Sequence, residues 1–94
     1  MFNKPQLKNS LYVIGISYKK TSAQIRGKFN LSFEASNKLI KDAKKQGISS
    51  IIINSTCNRV EIYAETNEPN ELIKLLCFNS LGNKSDFKNF GYVL

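Results

Sequence analysis

The chain has no histidine and only two cysteines and two arginines among its 94 residues. Without histidine no Cys-His dyad can form within it, so a thiol nucleophile would need another source of activation. Cys57 and Cys77 stand twenty residues apart with no secretory leader ahead of them, which does not read as a disulfide framework. Nor can two thiols close a tetrahedral zinc site without further ligands. No apolar run approaches the ~20 residues of a membrane span. The opening Met1-Phe2-Asn3-Lys4-Pro5-Gln6 lacks the apolar core of a signal peptide. These absences predict a cytoplasmic protein with no membrane partner. No Gly-x-Gly-x-x-Gly follows any apolar run, so the chain contains no dinucleotide-binding fold.

What is present fits one soluble domain spanning residues 1–94. Apolar residues make up 41% of the chain and charged residues 22%. A chain of this length buries roughly 60–65% of its unfolded surface. The net charge of +7 comes from twelve lysines and two arginines against seven acids. Lysine excess reads first as a solvated surface, and second as attraction to a polyanion such as RNA. The arginines are more informative. Arg26 follows the first strand signal and Arg59 follows Cys57, which places both in loops. A rigid guanidinium fork there suits a carboxylate or phosphate.

Hydropathy gives the order of elements. Leu11-Tyr12-Val13-Ile14-Gly15-Ile16 is apolar nearly throughout and predicts a central strand, with Gly15 marking a bulge or a close backbone. Gln24 to Phe29 suggests a helical turn ended by Gly27. Ser32 caps a helix from about Phe33 to Gln46, with Ala35, Leu39, Ile40 and Ala43 on one face and Gly47 as its left-handed stop. Strands follow at about Ser50–Asn54 and Val60–Glu65, too close for a helical crossover and therefore antiparallel. Val60, Ile62 and Ala64 point to the core; Glu61, Tyr63 and Glu65 point away. A second helix runs from about Asn70 to Asn79 and buries Leu72, Leu75, Leu76 and Phe78, with Cys77 as a core thiol. Ser80 to Asn89 reads as loop, and Phe90-Gly91-Tyr92-Val93-Leu94 as a last strand that ends abruptly, as in a fragment of a longer protein. The sum is an α+β, ferredoxin-like βαββαβ sandwich: a four-stranded antiparallel sheet with two helices on one face.

The chemistry gathers in Asn54-Ser55-Thr56-Cys57-Asn58-Arg59, between two strand signals. Such residues often serve only to satisfy the backbone of a turn. Yet Cys57 lies beyond the buried strand, where packing does not demand it. Arg59 could stabilise its thiolate, and the amides and hydroxyls of Ser55 and Thr56 could hold an oxyanion.

Ser55-Thr56-Cys57-Asn58-Arg59, followed by Val60-Glu61-Ile62-Tyr63-Ala64, resembles the signature of glutamyl-tRNA reductase. Gly15-Ile16-Ser17-Tyr18-Lys19, Ile25-Arg26 and Leu31-Ser32-Phe33-Glu34 resemble that family's first strand, loop and helix start. The resemblance implies that residues 1–94 form most of the N-terminal catalytic domain, with the NADPH-binding and dimerisation domains absent from the chain. It implies that Cys57 is the nucleophile that takes the glutamyl group of glutamyl-tRNA as a thioester. NADPH, bound by the missing domain, would then reduce this to glutamate-1-semialdehyde for tetrapyrrole synthesis. It implies Thr56, Asn58 and Arg59 around the glutamyl moiety, with Arg26 as a second candidate for its carboxylate. Thr21 fills the family's threonine position only by a local shift, since Lys20-Thr21-Ser22 replaces the usual Thr/Ser-Ala-Pro. Tyr18 stands where the family often has histidine. The full enzyme is expected to be a homodimer that passes its product to glutamate-1-semialdehyde aminotransferase.

Two other functions fit the same fold. One is a non-enzymatic RNA-binding module, stacking bases on Tyr12 and Tyr63. The other is a regulatory domain for a small amino acid, which leaves Thr56 to Arg59 unexplained.

Overall fold

Strand pairing begins with the two apolar runs that flank the cysteine motif. A computed structural model describes residues 10–17, 22–56 and 58–94. In it β1 (Ser10–Ser17), β2 (Ile51–Ser55), β3 (Arg59–Thr66) and β4 (Gly91–Val93) form one sheet in the order β2-β3-β1-β4. Every neighbouring pair is antiparallel. The most apolar strand, β1, is central, flanked by β3 and β4, as its lack of polar alternation predicts.

Alternation along the strands sorts the two faces. Ile14 and Ile16 of β1 and Val60, Ile62 and Ala64 of β3 are buried on one side, with Ile51 and Ile53 of β2 packed against them. The helices α1 (Ala23–Lys28), α2 (Phe33–Lys45), α3 (Pro69–Asn79) and α4 (Lys84–Phe90) supply the rest of that core. Leu39 and Ala43 come from α2, Leu72, Leu75 and Leu76 from α3, and Phe87 from α4. Phe29 closes it edge-on against Phe87, with ring centroids 6.2 Å apart.

Local chemistry fixes the helix ends. Ser22 and Ser32 each accept a hydrogen bond from the amide three residues on, at 3.2 and 3.0 Å. The α2 helix ends in a paired motif: Gly47 donates to Lys44 O and Ile48 to Ala43 O. Gly47 has φ +89°, a conformation glycine adopts without strain. The buried Ile48 then packs beneath the turn.

Four helices stand where two were expected. The helical turn expected at Gln24–Phe29 is the helix α1, Ala23–Lys28, because Gly27 continues it without a positive φ, so Arg26 sits on a helix and not in a loop. The segment expected to be loop at Ser80–Asn89 carries α4, which runs on through Phe90, so the last strand starts at Gly91 rather than Phe90. Asn83 caps it by accepting from the Asp86 amide at 2.8 Å, and burial of Phe87 holds it down. Phe78 is 74% exposed, with the Lys38 ammonium over its ring. It falls on the outer face of α3, away from Leu75 and Leu76. Arg59 is the first residue of β3 rather than a loop residue.

Gly15 marks a close approach without a bulge, since the β1–β3 register runs unbroken through it. A Cβ there would lie 2.7 Å from the Val60 carbonyl oxygen, 2.8 Å from Glu61 Cγ and 2.8 Å from the Tyr92 hydroxyl. At Gly27 a Cβ would meet nothing within 4 Å. Gly15→Ala should therefore destabilise by about 1–3 kcal/mol through overpacking, whereas Gly27→Ala should stabilise by about 0.5–1 kcal/mol. Urea unfolding of both variants checks the pair. Equal effects would contradict the crowding at Gly15.

Candidate active site

The β2–β3 hairpin turns through residues 56–58. Thr56 organises it. Its amide donates to Arg59 O at 2.9 Å. Its hydroxyl accepts from the amides of Asn58 and Arg59 at 3.2 and 3.3 Å and donates to Arg59 O at 3.3 Å. That hydroxyl is committed to the loop's own backbone, which fixes how residues 56, 58 and 59 are presented. The Ser55 hydroxyl is also engaged, accepting from the Leu31 amide at 3.1 Å. This bond ties the α1–α2 link to the end of β2. Cys57 and Thr21 lie outside the described residues, as do Tyr18, Lys19 and Lys20.

The structure thus brings Thr56, Asn58 and Arg59 together in one turn. Ser17, the last residue of β1, pairs with Arg59. Arg26 belongs to α1, half-buried, one short link away from the Leu31–Ser55 bond.

Beneath Arg59 lies a group that the sequence does not single out. Glu61 is on the face away from the helices, as alternation requires, yet it is buried at 6% exposure. Tyr63 donates to its Oε1 at 2.7 Å, and the Tyr92 hydroxyl donates to its Oε2. Arg59 Nη1 stands 3.7 Å from the same Oε2. Burial pushes the Glu61 carboxyl up, but the hydrogen bonds from Tyr92 and Tyr63 and the Arg59 charge outweigh it and hold it below the usual carboxylate range. Burial and the bond to Glu61 push the Tyr92 phenol well above its ordinary value. The available sequence signal was the spacing Arg-x-Glu-x-Tyr, which puts all three side chains on one face of a strand.

Cys77 is half-buried and packs against the core. Burial pushes its thiol up, opposed by the Lys84 charge. Tyr12 and Tyr63 do not share a face. Tyr12 pairs with buried Ala64 and packs on the helix-side core, whereas Tyr63 pairs with Val13 on the other side. Among the described residues no cluster of three or more His, Cys, Asp or Glu could hold a metal ion, and no helix is long and apolar enough to cross a membrane.

The sequence profile for the N-terminal domain of glutamyl-tRNAGlu reductase matches residues 14–94. The chain belongs to the glutamyl-tRNA reductase family. A glutamyl-tRNA reductase of Flavobacterium psychrophilum is 49% identical over 85 residues, covering 90% of this chain and 21% of that protein. Glutamyl-tRNA reductase 2 of Flavobacterium johnsoniae is 48% identical over 92 residues, covering 98% and 21%. The chain therefore spans about a fifth of the length of these reductases. The solved glutamyl-tRNA reductase from Methanopyrus kandleri shares the fold, with TM-score 0.62 at 22% identity over 88% of this chain and 18% of that one.

The Glu61 cluster of this reductase domain has a pH signature. A carboxyl held below its unfolded value, about 4.3, stabilises fully above that value and loses its contribution as pH falls through the folded value. Glu61→Gln should cost about 1–3 kcal/mol near neutral pH. Its gap from wild type should narrow as pH falls below the ordinary carboxylate range, measured by denaturant unfolding across pH. A gap that stays constant would remove the carboxylate from the account.

Proposed function

We propose that this domain carries the acyl-capture half of the glutamyl-tRNA reductase reaction, on a ferredoxin-like βαββαβ sandwich of which the four-strand order is the framework. The observation that carries this reading is the match of residues 14–94 to the family's N-terminal domain, within which Arg59 is set over the buried Glu61 carboxylate beside the Thr56-Cys57-Asn58 sequence. The Cys57 thiolate attacks the carbonyl carbon of the glutamyl ester. A C–S bond forms, the ester C–O bond breaks, and the tRNA 3′ oxygen leaves and takes a proton. The product is a glutamyl thioester, a better hydride acceptor than a carboxylate.

Arg59 holds the side-chain carboxylate of the glutamyl group through its guanidinium fork, and its 41% exposed side chain leaves that fork reachable. Asn58 and Thr56 shape the turn that receives the acyl group, Arg26 on α1 is the second candidate for the carboxylate, and Thr21 is kept as a substrate-binding candidate on the family resemblance alone. With no histidine in the chain, and with the amides of Thr56, Asn58 and Arg59 committed within the turn, the arginine cations are the local support for developing negative charge.

The residues present do not fit NADPH, because no glycine-rich strand-to-helix turn is available to cradle a pyrophosphate. No reduction step is assigned to them. Reduction to glutamate-1-semialdehyde for tetrapyrrole synthesis, homodimer formation and hand-over to an aminotransferase belong, in this reading, to other parts of a longer cytoplasmic enzyme. The RNA-module reading loses its footing because Tyr12 and Tyr63 occupy opposite faces of the sheet, and base stacking needs both on one.

Incubation of the 94-residue chain with radiolabelled glutamyl-tRNA should leave a glutamyl adduct on Cys57, mapped by peptide mass. Cys57→Ser should lose the adduct and keep the fold. Iodoacetamide at neutral pH should label Cys57 ahead of the half-buried Cys77. An adduct that persists in Cys57→Ser, or maps to Cys77, would place the nucleophile elsewhere.

A further inference from the structure

Glu61 and Tyr92 sit on strands that are not neighbours. β1 runs between β3 and β4, and Gly15 is registered against Glu61 on one side and Tyr92 on the other. Each strand spacing is about 4.8 Å, so the two side chains must cross β1 to meet. They do so over Gly15, the one residue type that leaves the lane open: a Cβ there would lie 2.8 Å from both the Tyr92 hydroxyl and Glu61 Cγ. The Tyr92 phenol donates to Glu61 Oε2, the same oxygen that faces Arg59 Nη1 at 3.7 Å. Tyr63 holds the other oxygen at 2.7 Å.

We propose that Tyr92, seconded by Tyr63, is a positioning residue for Arg59, acting through Glu61 across the gap at Gly15. The inference rests on Arg59 as the carboxylate-holding group. With both phenols donating, the Glu61 carboxylate is fixed in rotamer and charge, and it sets where the guanidinium rests. Without Tyr92 the carboxylate can turn toward Arg59, pair with it more closely and withdraw the fork from substrate. The groups facing Glu61 are Arg59 and Tyr63 on its own strand, Tyr92 from β4, and uncharged Gly15 and Asn54 across from it on β1 and β2.

The test measures single-turnover transfer from glutamyl-tRNA to Cys57 in wild type, Tyr92→Phe, Tyr63→Phe and Arg59→Lys across pH. Tyr92→Phe is expected to transfer roughly tenfold more slowly, the effect of one lost hydrogen bond to a charged group. Its acid limb should move to higher pH, because a donor that favours the ionised carboxylate is gone. A purely structural role would lower the rate without moving the limb. Alkylation of Cys77 reports the fold, and if Tyr92→Phe exposes it, Tyr63→Phe carries the same comparison.

A Tyr92→Phe chain that transfers at the wild-type rate with an unmoved limb, while Arg59→Lys is slow, overturns the proposal and leaves Arg59 in place. An Arg59→Lys chain as fast as wild type overturns both. Solvent exchange of the Arg59 Nε proton, followed by NMR, gives an answer without tRNA. It should slow about tenfold in Tyr92→Phe, because closer pairing with Glu61 protects the guanidinium, and an unchanged rate counts against the proposal even where no transfer is seen.

Discussion

The domain's geometry at the hairpin depends on one buried carboxylate. An ionised glutamate out of water is costly unless each lone pair finds a donor. Glu61 has a phenol donating to each oxygen and the charge of a guanidinium 3.7 Å away, drawn from two strands, all on the sheet face away from the helices. Because the donors converge from β3 and β4 over β1, the requirement ties three strands into one register. The hairpin carrying Arg59 inherits that rigidity. Removing any donor leaves a charge in a poorly solvated place, which is why the cluster is cooperative.

Gly15 is the steric counterpart of that electrostatic demand. On the helix side of β1, Ile14 and Ile16 fill the core. On the other side the strand needs the opposite, an empty position where two long side chains pass over its backbone. A glycine in the middle of an apolar strand costs some stability for lack of a side chain. Here the cost is offset by contacts that no other residue would permit.

Much of this was legible in the sequence, and the exceptions have physical causes. The apolar run of β1, the β-branched run of β2 and the alternation of β3 announce their strands, because burial on one or two faces leaves a period in the residues. Ser32 and Gly47 announce the ends of α2, because helix ends leave amides and carbonyls that particular side chains and conformations satisfy. The motif at residues 55–59 marked the candidate site, of which Thr56, Asn58 and Arg59 are described. The two short helices were harder. Gly27 and Gly82 look like stops, and α1 and α4 are held by Ile25, Phe29 and Phe87 reaching into a common core rather than by propensity. The Glu61 cluster was hidden for another reason. Tyr92 lies thirty-one residues from Glu61, and nothing in either neighbourhood tells of the other.

The loose geometry between Arg59 and Glu61 explains how one arginine can be both anchored and available. A guanidinium in a bidentate pair with a buried carboxylate has spent its fork, and a substrate carboxylate would have to displace that partner. At 3.7 Å through a single nitrogen, the pair is long for a hydrogen bond. The phenols take up the lone pairs that would otherwise draw Arg59 in. Glu61 therefore orients the guanidinium by charge while leaving its donors largely uncommitted. In a chain with twelve lysines, positive charge is plentiful. What is scarce is a planar cation held in one place with its donors facing outward, and the tyrosines supply that by satisfying the glutamate in its stead.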